Sequence, residues 1–305
     1  MILITGATGY IGSKLAKKLS DQGEKVRAMV IENDKMIHNL DGVKCEKMIG
    51  DITNPELLKK CMKGVTTVYH LAAILVAKDK KAFNAVNFEG TKNVINAAVD
   101  AKVKHFILIS AAAAAYKTRT TYGHSKIKSE HLMRQYDGKI NYTIIRPTLL
   151  YGQGGSQELK IYVETLRKFP FIIPTIGTLR AVKRPVWVND IAEGLAKVAN
   201  NKKSYGKTYN FGGGTAMTMW AYTNLIRKTF KINKPMIPIP LFICYMIAWI
   251  WEKVSEEPML KKDYVIGAAM SANFEQKSAF EDLGYRPVSI EVGYPQGFKT
   301  PEDLF

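Results

Sequence analysis

Two short stretches hold the residues with the most chemistry to offer. Thr5-Gly6-Ala7-Thr8-Gly9-Tyr10-Ile11-Gly12 joins an apolar run directly to a helical pattern. At this spacing Gly6 permits a tight turn, Gly9 lets the backbone approach a pyrophosphate, and Gly12 allows close helix–strand packing. The helix that follows offers unpaired N–H groups and a partial positive charge to the phosphates. Three glycines alone are a weak signal, but between the strand and helix of a βαβ unit they read as a dinucleotide-binding turn. A P-loop is excluded, because Asn201 stands where the first glycine before Gly206-Lys207-Thr208 would have to be.

The second stretch, Tyr122-Gly123-His124-Ser125-Lys126, opens a helical pattern and sets a phenol and an ammonium one turn apart. In a hydride-transfer site the lysine would stabilise tyrosinate and hold the nicotinamide ribose. The tyrosine would exchange a proton with a carbonyl or hydroxyl. Bringing a phenol from about 10 to about 7 takes roughly 4 kcal/mol of differential stabilisation, which a cation in a partly desolvated cleft supplies. Tyr10 and Lys14 share the same spacing. Position after the fifth strand and before the sixth is what singles out Tyr122 and Lys126.

Gly50-Asp51-Ile52 and His70-Leu71-Ala72-Ala73 follow predicted strands and suit the same cofactor. Asp51 would accept from the adenine amino group, and the small residues after His70 leave room beside the dinucleotide. The 2′ position stays open between NAD and NADP. Glu32 and Asp34, slightly beyond the usual deciding positions, favour NAD, whereas Arg27 and the overall charge favour NADP. The histidines at 38, 70, 105, 124 and 131 show no metal-ligand spacing, so no metal is expected, and no Gly-x-Ser-x-Gly elbow occurs.

These residues need elements to hold them. The chain has 305 residues, 47% hydrophobic and 23% charged, a globular composition that excludes long disorder, collagen and coiled coil. Three separated cysteines argue for buried reduced thiols rather than a disulfide framework, and hence for a cytoplasmic location. Met1–Ile4 already reads as a buried strand, so no signal peptide is expected. A net charge of +17 suits anionic partners. Its lysines are dispersed, which reads as a solvated surface rather than a nucleic-acid stripe.

Strands are predicted at 1–5, 25–30, 44–48, 67–71, 105–110 and 142–145, with helices at 11–22, 83–100 and 123–136. The alternation predicts an α/β, Rossmann-type, doubly wound parallel sheet with a smaller mixed C-terminal lobe. Residues 1–150 and about 181–215 would form the dinucleotide-binding domain, with a helix near 190–199 and a strand near 208–211 returning to the sheet. The substrate lobe would take about 151–180 and 216–305. Leu241–Trp251 is too short to span a membrane and is expected as a buried helix of that lobe. The alternative is an interfacial helix making peripheral membrane contact through Tyr245, Trp249 and Trp251 beside Lys253.

Taken in order, these segments resemble the extended short-chain dehydrogenase/reductase superfamily, in its NAD-dependent epimerase/dehydratase branch, which includes nucleotide-sugar epimerases. The resemblance also rests on Asn87 within Val86–Thr91, Arg146–Gly152, Val186–Ala192 and Leu283–Pro287. It implies a cofactor set of Gly6, Thr8, Gly9, Tyr10, Ile11, Gly12, Asp51, Ile52, Leu71, Ala72, Ala73, Asn87, Tyr122, Lys126 and Pro147. It implies Tyr122 as acid/base with Lys126 as electrostatic partner, Lys183 and Arg184 against a nucleotide-sugar phosphate, and a homodimer through helices 83–100 and 123–136. Ala112 departs from the pattern, standing where relatives carry a catalytic Ser or Thr. The loss of such a donor costs about 2.7–4 kcal/mol, and Ser110, Thr118, Thr120 and Thr121 are the candidate substitutes.

The expected activity is therefore an NAD(P)-dependent oxidoreductase or epimerase acting on a nucleotide-sugar. One alternative is a dehydrogenase or reductase of an apolar, sterol- or flavonoid-like substrate. The other is a cofactor-binding sensor, assembly or RNA-associated module with weak or no catalysis; nucleic acid is otherwise not an expected partner.

Overall fold

The computed structural model describes residues 1–75, 80–154, 157–255 and 258–298. A seven-stranded parallel sheet runs in the order β3-β2-β1-β4-β5-β6-β11. Its strands are β1 (Ile2–Thr5), β2 (Val26–Val30), β3 (Glu46–Ile49), β4 (Thr67–His70), β5 (His105–Ile109), β6 (Tyr142–Pro147) and β11 (Lys207–Phe211). Strands β1, β2, β4 and β5 are buried throughout, as near-continuous apolar runs demand when helices cover both faces. Strand order reverses between β1 and β4, where Thr5 is in register with His70, and that switch point opens the crevice in which ligands of such sheets sit.

On one face Leu15 and Leu19 of α1 (Tyr10–Asp21) pack with Ile191 and Leu195 of α7 (Val188–Ala196) and Leu283 of α11 (Lys277–Leu283). The other face is covered by α2 (Pro55–Cys61), α4 (Thr91–Asp100) and α5 (Thr121–Arg134). Where the periodicity predicts one helix over 83–100, the chain forms α3 (Lys80–Phe83), a π-helical segment Asn84–Gly90, and then α4. A wide turn of this kind shifts the helix face by part of a residue step, which spacing statistics do not reveal.

A third apolar cluster joins α6 (Gln157–Lys168), α8 (Met219–Thr229) and α12 (Ile290–Gly297) around Val163, Tyr222 and Ile226. Three two-stranded ribbons frame it: β7 (Leu150–Tyr151) with β10 (Val186–Trp187), β8 (Ile173–Ile176) with β13 (Met236–Ile239), and β9 (Val182–Lys183) with β12 (Met217–Thr218). Helices α9 (Leu241–Val254) and α10 (Lys262–Ala269) share only a small cluster, Cys244 and Ala248 against Val265. The expected burial of Leu241–Trp251 is thus overturned, since most of its large side chains lie on the surface. No helix among the described residues is long and apolar enough to cross a membrane.

One ionic cluster ties α5 to the sheet. Glu130 is fully buried and accepts from Arg146 (Nε 2.7 Å, Nη2 2.6 Å), from Ser110 Oγ (2.6 Å) and from Arg134 Nη2 (3.1 Å). Burial pushes its pKa up, but the hydrogen bonds and charge of the arginines and Ser110 outweigh this and hold it below the usual range. Because the folded pKa is depressed, the stabilisation is present above the ordinary carboxylate range and is lost as pH falls through the folded value. Glu130→Ala, which strands Arg146, is expected to lower unfolding stability by about 3–5 kcal/mol at neutral pH. Urea denaturation should show that difference shrinking as the pH drops below about 4.

Candidate active site

The crevice begins at the turn after β1. Gly6 has φ +68°, and a Cβ there would lie 2.8 Å from the Ala72 amide nitrogen, so the turn and the end of β4 touch backbone to backbone. A Cβ on Gly12 would lie 2.1 Å from Gly6 O, where only hydrogen fits. Helix α1 opens at Gly9 with no side-chain cap and no acidic residue in its first turn, and its first bond back runs from Ser13 N to Gly9 O. Gly9 N is spent inside the turn on Gly6 O at 3.1 Å, so the donors this helix terminus offers a ligand are the amides of its first turn, at positions 10–12, with the positive end of the helix behind them. Thr8 Oγ1 donates to Asp34 Oδ2 at 2.7 Å and Asn39 Nδ2 to Thr8 O at 2.8 Å, fixing the turn against the end of β2. This donor set suits a pyrophosphate, and the cradle fits a dinucleotide.

Other members of the expected cofactor set fall in three groups. Leu71, Ala72 and Ala73 emerge half-buried beyond β4, and Asp51 sits half-buried beyond β3, its carboxylate accepting from Thr53 N and Oγ1 at 2.8 Å. Ile11 and Pro147 pack at the crevice end, Pro147 closing β6 in register with Phe211. Ile52 and Tyr10 differ in direction. Ile52 is buried in the core against the place where a Gly90 Cβ would lie. The Tyr10 hydroxyl is buried and without a partner beside Gly152, and burial with the nearby Tyr151 holds its pKa well above the phenol range. Each therefore offers the crevice only its backbone.

Behind the crevice, His70 is clamped between Thr5 Oγ1 (2.7 Å) and Thr91 Oγ1 (2.9 Å). Burial and the nearby Lys126 charge push its pKa down to about 3, so it is a neutral strut. Asn87, in the π-helical segment, is the hub of the next layer. Its side chain pairs with both backbone groups of Ile74 (2.8 and 3.0 Å), and its Nδ2 donates to Ser125 Oγ at 3.0 Å. Ser125 in turn donates to Tyr122 O at 2.7 Å. The wide turn aims Asn87 at α5, and the amide thereby positions the start of that helix.

Helix α5 is capped by Thr120, whose Oγ1 accepts from Gly123 N at 3.0 Å, and by Asp263 of α10, which accepts from Thr121 N at 2.9 Å. Lys126 is buried, donates to Ile109 O at 2.9 Å, and has Nζ 5.8 Å from the Tyr122 ring centroid. Burial lowers its pKa to about 8, with Glu130 opposing. Tyr122 does not follow the expected shift toward neutrality. Burial and the charge of Glu158 raise it, so without a ligand it is a phenol poised to give a proton.

Two of the four hydroxyl substitutes for Ala112 are spoken for. Ser110 is buried and committed to Glu130, which removes it from substrate contact, and Thr120 is spent on the helix cap. Ala112 and Ala114 are buried beneath α5 in a short 3-10 turn.

Lys183 also departs from expectation. It is buried, and its Nζ donates to Tyr116 Oη (3.2 Å), to Gly267 O (2.9 Å) and to Met270 O, so its cation anchors α10 rather than facing a phosphate. Arg184 remains half-exposed, bonded to Asn273 Oδ1 at 2.7 Å, and lines a surface depression of about 580 Å³ with Lys277, Arg286 and Phe274. Phe274 stacks on Tyr116 at 6.4 Å between centroids, and the Tyr116 hydroxyl accepts from Lys183, so the rim of the depression rests on the buried lysine. Sequence reading missed Ser125 as a brace, although it lies inside the quoted motif. It also missed Glu158 and Asp263, which no local signal marks, since each acts across a gap in the chain that only folding closes.

The model of the NAD-dependent epimerase/dehydratase family matches residues 2–212. A ceramide reductase of Caulobacter vibrioides is 31% identical over 162 residues, 53% of this chain and 50% of that protein, so the match spans about half its length. A UDP-glucose 4-epimerase of Vibrio cholerae is 25% identical over 100% of this chain and 95% of its own. A UDP-glucuronic acid 4-epimerase of Bacillus cereus, solved with UDP-glucuronic acid and NAD, superposes with a TM-score of 0.76 at 21% identity, covering 100% of this chain and 99% of that one.

Gly12→Ala forces the turn apart, because the new methyl would overlap Gly6 O. It is expected to weaken NADH binding at least about tenfold, a loss of 1.4 kcal/mol, in a fluorescence titration. Glu158→Gln removes the negative charge that raises Tyr122. The tyrosine's titration, read as the difference spectrum against the same variant carrying Tyr122→Phe, should move to lower pH.

Proposed function

This chain belongs to the NAD-dependent epimerase/dehydratase family and is thus an enzyme working with a nicotinamide dinucleotide; we propose that it oxidises and reduces a carbinol of a nucleotide-sugar, with Tyr122 as acid/base. The observation that carries this reading is the buried Lys126 ammonium, pinned by Ile109 O and set beside the Tyr122 phenol at the mouth of the strand switch point.

When bound, the dinucleotide supplies or accepts the hydride. The first-turn amides of α1 would hold its diphosphate, and Leu71–Ala73 and Pro147 would flank it on the way to Tyr122. As a ketone is reduced, the Tyr122 phenol gives its proton to the oxygen that gains charge. In the opposite direction the phenolate takes the proton from the hydroxyl, and the Lys126 cation stabilises that phenolate across a water-poor gap. Asn87 and Ser125 fix the start of α5, so the phenol needs no reorganisation as charge develops. With Ala112 in the donor position, Tyr122 bears the substrate oxygen without a neighbouring hydroxyl from that turn.

The anionic substrate is supported by the depression beside Phe274, where Arg184, Lys277 and Arg286 outnumber the single acid Glu275, and by likeness to a UDP-glucose 4-epimerase along the whole chain. A second reading, reduction of an apolar keto substrate, draws support from the withdrawal of Lys183 from the crevice and from likeness to a ceramide reductase. A panel of nucleotide-sugars and long-chain ketones with NAD(H) and NADP(H) separates the two. Turnover confined to the apolar compounds would overturn the first.

Tyr122→Phe is expected to lower kcat by about 10²–10⁴ while NADH affinity stays within a factor of two or so. The Lys126 cation is present below about 8 and lost above it. Rates measured in the direction of alcohol oxidation should therefore flatten or fall above that pH, and a Lys126→Met variant should lose this limb.

A further inference from the structure

We propose that the outer face of α9 docks the protein on an anionic lipid bilayer. The helix is apolar nearly all the way round, yet only Cys244 and Ala248, one turn apart, are buried in it. Phe242 (67% exposed), Met246 (54%) and Ile250 (51%) form one ridge at helical spacing, with Tyr245 and Trp249 alongside. A helix hydrophobic on every side is normally core or membrane, and contiguous surface of this kind marks an interaction site.

The charges around the ridge select the partner. Lys253 Nζ sits 3.7 Å from the Trp249 ring centroid, a cation held on an amphipathic aromatic at the polar end of the helix. The one acid of α9, Glu252, is paired with Lys262 Nζ at 3.1 Å and accepts from Lys262 N at 2.8 Å, so it adds no net negative charge to the face. On a chain of net charge +17, an apolar ridge edged by Lys253, Tyr and Trp is complementary to acyl chains beneath anionic headgroups. At about 1.5 Å per residue the helix is roughly 21 Å long, shorter than a hydrocarbon core of about 30 Å, so it lies in the interface plane and does not cross.

The surface is also wired to the site. Helix α10 packs on α9, takes the Lys183 ammonium at Gly267 O, and caps α5 through Asp263. A bilayer against α9 therefore bears on the helix that carries Tyr122.

The test is co-sedimentation of the full chain with phosphatidylcholine vesicles made with and without phosphatidylglycerol. The expected result is binding to the anionic vesicles that weakens with salt, falls at least about tenfold in a Phe242→Ser/Met246→Ser/Ile250→Ser variant, and is reduced by Lys253→Glu. All three serine positions are exposed, so thermal stability and NADH affinity should match the parent and confirm an intact fold. Absence of sedimentation with anionic vesicles overturns the proposal. So does a dimer in light scattering that the triple variant converts to monomer without any lipid affinity, which assigns the face to a second copy of the chain.

Discussion

A buried ammonium sets the terms for the rest of this molecule. Lys126 is 5% exposed, and a cation held there must be answered by polar groups at fixed places, because desolvation of an unpaired charge costs several kcal/mol. Ile109 O accepts from it at the end of β5, Glu130 lies one turn further along α5, and His70 stays neutral within its field. None of these works unless α5 lies tightly across the ends of β4 and β5. The buried alanines of the turn at 112–115 permit that approach by having little to keep out of the way, at the expense of the hydroxyl that relatives place there.

The same logic explains why Asn87 sits in a π-helical segment. An ordinary helix over 83–100 would present its face to the sheet in one register throughout. The wide turn at Asn84–Gly90 offsets the first part, so that one amide bridges the Ile74 backbone and Ser125 while Thr91, just beyond, clamps His70 and bonds Asn87 O. Backbone irregularity here does the work of positioning, a common use of π turns at functional sites.

Lysine 183 and helix α9 illustrate opposite errors of sequence reading. A basic pair before Trp187 reads as two cations for an anion, yet Lys183, the last residue of β9, turns inward to the carbonyls at the end of α10, while Arg184, the next residue, lies half-exposed on the surface depression. An apolar run reads as core, yet the third cluster is already filled by α6, α8 and α12, leaving α9 only the small contact around Cys244 and Ala248. Hydrophobicity states a preference for leaving water; it does not say which neighbour is available to receive the side chain.

What the residues determined by themselves was the sheet and its first turn. The alternation of apolar runs with helical patterns, the glycines at 6, 9 and 12, and the Tyr122–Lys126 spacing are all local, and local rules of turn geometry and periodicity suffice to read them. The return of residues 207–211 to the sheet edge was likewise foreshadowed by a strand-like run. Tertiary structure alone decided which charges are desolvated and by whom: Glu158 raising Tyr122, Asp263 capping α5, Ser110 surrendered to Glu130, and Lys183 withdrawn from the crevice. These depend on contacts between residues far apart in the chain, where distance and burial set the energy and no spacing in the sequence encodes either.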